Sequence, residues 1–64
     1  MHVIDYYGNE VDFDAATEYM DDGICNQMHN ERDWTEQEFF DEYAKRHEEK
    51  FANEEFQPYY NGQW

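Results

Sequence analysis

The sequence is poor in positive charge, cysteine, glycine and proline. Its 64 residues include four Lys or Arg, one Cys, three Gly and one Pro. A single Cys excludes an intramolecular disulfide framework and a Cys-rich zinc site. No window approaches the roughly 18 apolar residues of a membrane-spanning helix, so no membrane segment is expected. The start Met1-His2-Val3-Ile4-Asp5 has no basic region followed by an apolar stretch, so no secretory signal is expected and a reduced, cytoplasmic setting is the default. The length fits a single small domain, residues 1–64, with a modest core. It leaves hardly enough wall for an enclosed substrate pocket of roughly 300–1,000 Å³.

What is abundant is acid. Seventeen Asp and Glu against four Lys and Arg give a formal net charge of −13, and the sequence pI is about 4.1. Nucleic acid and anionic lipid repel such a chain, so the partner it predicts is a basic protein or complex, with no direct nucleic-acid or membrane contact. High net charge and a mean hydropathy of −1.32 also describe disordered chains. Five Phe, six Tyr and two Trp argue for a fold instead, because each buries a large area.

The local signals predict an α+β fold: a short N-terminal hairpin, two antiparallel helices and an aromatic C-terminal tail. Val3-Ile4-Asp5-Tyr6 and Glu10-Val11-Asp12-Phe13 flank Gly8-Asn9, which suits a tight hairpin over 3–13. Ala16, Tyr19, Met20, Ile24 and Met28 fall on one helical stripe, predicting a helix over 14–30 with Asp12 or Asp14 as its N-cap. Gly23 weakens its middle by roughly 1 kcal/mol relative to Ala. A second helix over 36–51 carries the most specific signal. Thr35 and Glu38 have the spacing of a capping box, and Trp34 and Phe39 that of a hydrophobic staple. Asp41–Lys45 and Glu42–Arg46 are i,i+4 pairs in the favourable orientation. Asn53 suits a left-handed cap, followed by a tail over 54–64. Phe13, Met20, Ile24, Phe40, Tyr43 and Phe51 are the expected core.

The charge is segregated along the chain. No Lys or Arg occurs from Met1 to Glu31, whereas Lys45, Arg46 and Lys50 lie on the second helix among acids. Asp14, Glu18, Asp21 and Asp22 share a helical face if residues 14–30 form one helix. A compact chain of this length spans roughly 28 Å. Its net charge then amounts to about one per 2 Å, near the one per ~1.7 Å of duplex DNA. Solubility needs a magnitude of only about 2–8. Asp5, Asp12, Asp14, Glu18, Asp21 and Asp22, with Glu31, Asp33 and Glu36 next, are therefore candidate phosphate analogues. Tyr59, Tyr60 and Trp64 exceed what so small a core needs. They form the alternative, an aromatic contact patch of an antitoxin-like or adaptor module, or of a homodimer.

Catalytic and metal chemistry find little support. Cys25 and His29 are i,i+4, but two ligands do not make a zinc site. His47-Glu48-Glu49-Lys50-Phe51 opens like a zincin motif and has no second His. Asp12-Phe13-Asp14 starts like a calcium loop without the Gly and terminal Glu at their required spacing. No cofactor, metal or enzymatic activity is expected.

The run from Asp12 to Phe51, with Phe13-Asp14-Ala15-Ala16, Met20-Asp21-Asp22 and Glu38-Phe39-Phe40-Asp41, resembles the short acidic proteins of phages and bacterial mobile elements. DNA-mimic inhibitors, including anti-CRISPR and anti-restriction proteins, are found among them. The resemblance is one of size and charge profile, and no functional residue carries over from it. It implies a stoichiometric inhibitor of a DNA-binding defence complex, of the CRISPR-Cas type, in the cytoplasm of a bacterial host cell.

Overall fold

Residues 1–61 are described by the computed structural model. Strands β1 (His2–Ile4) and β2 (Glu10–Asp12) precede helices α1 (Phe13–Thr17), α2 (Asp22–Glu31), α3 (Glu36–Lys50) and α4 (Gln57–Asn61). The fold is the expected small α+β arrangement of a hairpin and two main helices.

The strands are antiparallel in the register His2↔Asp12, Val3↔Val11, Ile4↔Glu10. Side chains alternate across a strand, so the Val3–Val11 pair enters the core while Ile4 faces out. The hairpin connection is longer than the tight turn expected, because five residues, 5–9, join the strands. Asp5 is the reason. Its Oδ1 accepts from the backbone N–H of Tyr7 at 2.9 Å and of Asn9 at 2.8 Å. Its own N–H donates to the Asn9 carbonyl at 3.0 Å. A short carboxylate offering the backbone a local partner favours such a turn. Gly8, at φ +83°, takes the left-handed conformation the loop requires.

The expected single helix over 14–30 is two helices. Asp12 caps α1, accepting from the Asp14 N–H at 3.2 Å. After Thr17 the chain tightens, with Tyr19 N–H on the Ala16 carbonyl and Met20 N–H on the Thr17 carbonyl. Asp21 is extended, at φ −74° and ψ 127°, and recaps the chain as the N-cap of α2. The buried Tyr43 hydroxyl accepts the Asp21 N–H at 2.6 Å. A cap and a buried acceptor thus offset the helical bonds forgone at 18–21. Ala16, Met20, Ile24 and Met28 of the expected stripe are buried all the same, since both helices turn the same side to the core, but Tyr19, in the turn between them, is exposed.

The capping box expected at the start of α3 is formed. Thr35 Oγ1 accepts from the Glu38 N–H and the Glu38 carboxylate accepts from the Thr35 N–H, both at 3.2 Å. Trp34 packs on the core and donates its Nε1–H to the Met28 carbonyl at 2.8 Å, tying the connector to α2. At the other end, Asn53 N–H donates to the Glu48 carbonyl at 2.8 Å, the long bond of a Schellman cap. Ala52 and Asn53 are both left-handed there, at φ 57° and 71°.

Helices α2 and α3 run in opposite senses, with the start of α2 joined to the end of α3 through Asp21 and Lys50. Met20, Ile24, Phe40 and Tyr43 are core residues as expected, joined by Val3, Val11, Ala16, Met28, Phe39, Ala44 and Phe56. Phe13 and Phe51 are only partly buried against that cluster. Phe56 carries the chain back onto α3, stacking edge-on to Tyr43 at 4.6 Å and Phe40 at 6.1 Å. The segment beyond it closes as the short helix α4 rather than an irregular tail. Its Tyr59 carbonyl accepts the Tyr6 N–H at 2.8 Å and so fastens the hairpin loop.

Candidate partner-binding surface

The nine candidate carboxylates separate into two groups once placed. Asp5 is 6 % exposed and holds the hairpin loop, so it is not an outward phosphate analogue. Asp12 is half-buried and caps α1. Asp21 caps α2 through the Ile24 N–H at 3.1 Å and pairs with Lys50 Nζ at 2.8 Å. Glu31 takes both terminal nitrogens of Arg46, at 2.7 and 2.9 Å. These four are occupied within the fold. Asp14, Glu18, Asp22 and Asp33 are exposed, and Glu36 is half-buried. Among the described residues no ion pair involves any of these five. The helical face expected to carry Asp14, Glu18, Asp21 and Asp22 together does not exist, because the break at 18–21 assigns Asp14 to α1 and Asp22 to α2.

The cations explain the division. Arg32 pairs with Glu38 at 3.1 Å and lies over the Trp34 ring at 4.4 Å. Arg46 binds Glu31 and, at 2.9 Å, Glu42. Lys50 binds Asp21. The Asp41–Lys45 pair expected from spacing is absent among the described residues. Asp41 accepts from Gln37 Nε2 at 3.1 Å instead, and Gln37 also bonds the Ile4 carbonyl and N–H. Three of the four cations are thus turned onto four of the chain's own acids. Seventeen Asp and Glu side chains less those four leave thirteen outside the ion pairs among the described residues, and of these Asp5 is buried.

Titration follows the same pattern. The Lys50 ammonium, and then the Ile24 N–H, hold Asp21 below the usual carboxylate range. The Arg46 guanidinium lowers Glu31, and the Thr35 backbone N–H lowers Glu38. Arg46 is raised in turn by Glu31 and Glu42.

An open groove of about 420 Å³ runs between α2 and α3, lined by Ile24, Gln27, Glu31, Arg46, Glu49 and Lys50. Its charged groups include the Arg46 pair that joins the two helices. Cys25 donates its thiol to Met20 Sδ at 3.8 Å. Burial, then Asp22 and Asp21, push that thiol up, away from the reactive thiolate. His29 stacks on Phe39 at 5.0 Å rather than joining Cys25. Among the described residues no group of three or more His, Cys, Asp or Glu is placed to hold a metal ion, and no helix is long and apolar enough to cross a membrane.

The aromatic candidates are redistributed. Tyr59 and Tyr60 are half-buried supports, and Trp64 lies outside the described residues. Burial raises both phenols. Tyr59 is pushed further by Asp41, and Tyr60, beside Glu48, is pushed up to about 12. Tyr6 and Tyr7 face outward, at 63 % and 65 % exposure, as does Tyr19 in the turn after α1, at 54 %. The β-favouring run from Val3 to Tyr7 predicts a strand through Tyr6, whereas β1 ends at Ile4 and both tyrosines lie in the loop. The signal was present nonetheless, since two adjacent tyrosines beside Gly8-Asn9 cannot both face a core.

Fold and surface together define a small acidic α+β protein, three of whose four cations are paired within the chain. The family model of the anti-CRISPR protein AcrIC5 matches residues 4–56. The chain belongs to that family of anti-CRISPR proteins. The match runs from the hairpin to Phe56, the last residue of the core cluster. No curated protein and no solved structure is significantly similar to the chain.

Proposed function

We propose that the chain inhibits a type I-C CRISPR-Cas complex, inside the bacterial cell, by occupying a basic groove that otherwise receives DNA. It acts stoichiometrically, without catalysis. The observation that carries this reading is the internal use of the cations. With Arg32, Arg46 and Lys50 all paired within the chain, the outward carboxylates of α1, α2 and the start of α3 face solvent uncompensated. The principal extents are 28 × 26 × 17 Å. Thirteen net charges along the longest of these are about one per 2 Å, close to the ~1.7 Å of duplex DNA. Asp14, Glu18 and Asp22 are the principal contacts, with Asp33 and Glu36 flanking them. The family assignment favours this reading over an antitoxin-like or adaptor module.

The test is competition with DNA for a purified type I-C effector complex. The wild type is expected to displace target duplex, with an affinity that falls steeply as salt shortens the Debye length from about 10 Å at 0.1 M to about 3 Å at 1 M. The D14N/E18Q/D22N variant should lose roughly tenfold or more at low salt and show a shallower salt slope, since charge pairs across interfaces couple by about 1.5 kcal/mol or more. An affinity that is flat with salt, or a triple variant that competes as well as the wild type, refutes the mechanism.

A further inference from the structure

The hairpin loop displays two tyrosines that neither the core nor the carboxylate surface uses. Tyr6 and Tyr7 meet edge to face, with ring centroids 5.2 Å apart. Tyr6 rests on Tyr60 at 5.5 Å and on Tyr59 at 6.2 Å, and those two rings meet at 5.0 Å. Four rings therefore form one continuous patch, its outer half exposed and its inner half half-buried.

The patch is held in place. The Asp5 carboxylate fixes the loop through Tyr7 and Asn9 N–H, and α4 fixes it through the Tyr6 N–H. Tyrosine carries few rotatable bonds, so a patch already held in shape loses little entropy on binding.

Its surroundings are negative. Asp41 lies against the Tyr59 phenol, and Glu48 and Glu55 act on Tyr60. The chain's own cations stack elsewhere. Among the described residues, cation–ring contacts fall on Trp34 and Phe51, and none on a tyrosine. Carboxylates beside the inner rings of a patch whose outer rings are exposed suit a planar cation, because a guanidinium stacks on a ring and its edge meets the acids. A second copy of this chain brings another −13 to the same place, and nucleic acid brings phosphates; both are repelled.

We infer that the Tyr6–Tyr7 face, backed by Tyr59 and Tyr60, is a second docking surface that takes arginine side chains of the same basic partner. The inference rests on the proposed function for the identity of that partner. It separates from it in mechanism, because stacking on desolvated rings responds weakly to salt while the carboxylate surface responds strongly.

The experiment measures binding of the full chain to purified type I-C effector complex, at low and high salt, for four proteins: wild type, Y6S/Y7S, Y6F/Y7F and D14N/E18Q/D22N. Circular dichroism confirms that each is folded, which is expected because the substituted side chains are outward. Y6S/Y7S should weaken binding by roughly tenfold at both salt concentrations, leaving the salt slope as in the wild type. Y6F/Y7F keeps the ring faces and should bind within about threefold of the wild type. Three results overturn the inference: wild-type binding by Y6S/Y7S, failure of Y6F/Y7F to restore it, or a wild-type dimer in sedimentation that Y6S/Y7S dissolves. Loss of binding in Y6S/Y7S with none in D14N/E18Q/D22N upholds this surface while removing the carboxylate mechanism. A wild type that does not bind the complex removes both.

Discussion

The break between α1 and α2 hangs on one hydroxyl, and Y43F tests it. Tyr43 is fully buried. Its hydroxyl accepts the Asp21 N–H at 2.6 Å and contacts His47 Nδ1 at 2.9 Å. Phenylalanine keeps the ring, so the contact with Phe56 survives and the change isolates the polar link. Leaving a partly buried N–H without its acceptor costs about 1–3 kcal/mol. The site is not wholly enclosed, so the lower half of that range, ~1–2 kcal/mol, applies. A chain of this length has a stability of roughly 3–10 kcal/mol, and each kcal/mol moves the midpoint of a domain this small by about 4–8 °C. Y43F should therefore melt about 4–16 °C lower by circular dichroism, with hydrogen exchange speeding up first at the Asp21 amide. Binding to the target well below the midpoint should be unchanged, because Tyr43 lies beneath the surface. A midpoint within about 2 °C of the wild type, with Asp21 protection intact, refutes the hydroxyl as the cause of the break.

Three further outcomes are expected. D21N and D22N remove the same charge from adjacent residues, yet D21N, which loses the Lys50 pair, should lower the melting midpoint more, and D22N should weaken target binding more; equal effects in a melting and binding comparison contradict the division of roles. A52G should raise stability by about 1 kcal/mol in urea unfolding, since Ala52 sits at φ 57°, where a Cβ is strained and glycine is not. Asp21, Glu31 and Glu38 have folded-state pKa values below their unfolded ones, so their stabilisation is complete above the unfolded values of 3.8 for Asp and 4.5 for Glu and disappears as pH falls through the lower folded values; R46M should remove the Glu31 share of that acid limb in midpoint-against-pH curves.

Much of the fold was legible because its strongest signals are local. Thr35, Glu38 and Trp34 announce the start of α3 within a few residues, and the cap needs no distant partner. Asn53 likewise marks the left-handed end of α3 by type, although the left-handed run already begins one residue earlier, at Ala52. The helix break was hidden for the opposite reason. Ala16, Met20, Ile24 and Met28 keep their spacing across it, so the hydrophobic pattern continues while the backbone does not. What interrupts the helix is Tyr43, twenty-two residues beyond Asp21, and no window over 14–30 contains it. Among the acids, type and spacing could not separate Asp21 from Asp22 or Glu31 from Asp33. Only the positions of Lys50 and Arg46 on α3 decide which carboxylate is consumed. Asp5 was misplaced because a carboxylate that turns inward to hold a loop has the same sequence signature as one facing water.

The sorting of acids has an energetic logic. A net −13 on a body 28 Å across repels itself, and the cation-free first half places that stress on α1, α2 and the hairpin. Two of the ion pairs lie across the α2–α3 contact, Asp21–Lys50 at the start of α2 and Glu31–Arg46 at its end. They hold the helix that carries Asp22 against the one that has cations to offer. Exposed pairs of this kind are each worth little alone, so the hydrophobic seam of Ile24, Met28, Phe40 and Tyr43 does most of the holding. The pairs chiefly remove the repulsion that unmatched acids would place at that seam. The remaining repulsion is relieved only by counterions or by a basic partner. A partner that neutralises the outward carboxylates gains affinity from that relief, and it stabilises the fold by mass action, about 2.7 kcal/mol at a hundredfold excess over Kd. The free chain is correspondingly less stable than its core warrants, and the same charges that weaken it alone favour its association with a basic groove.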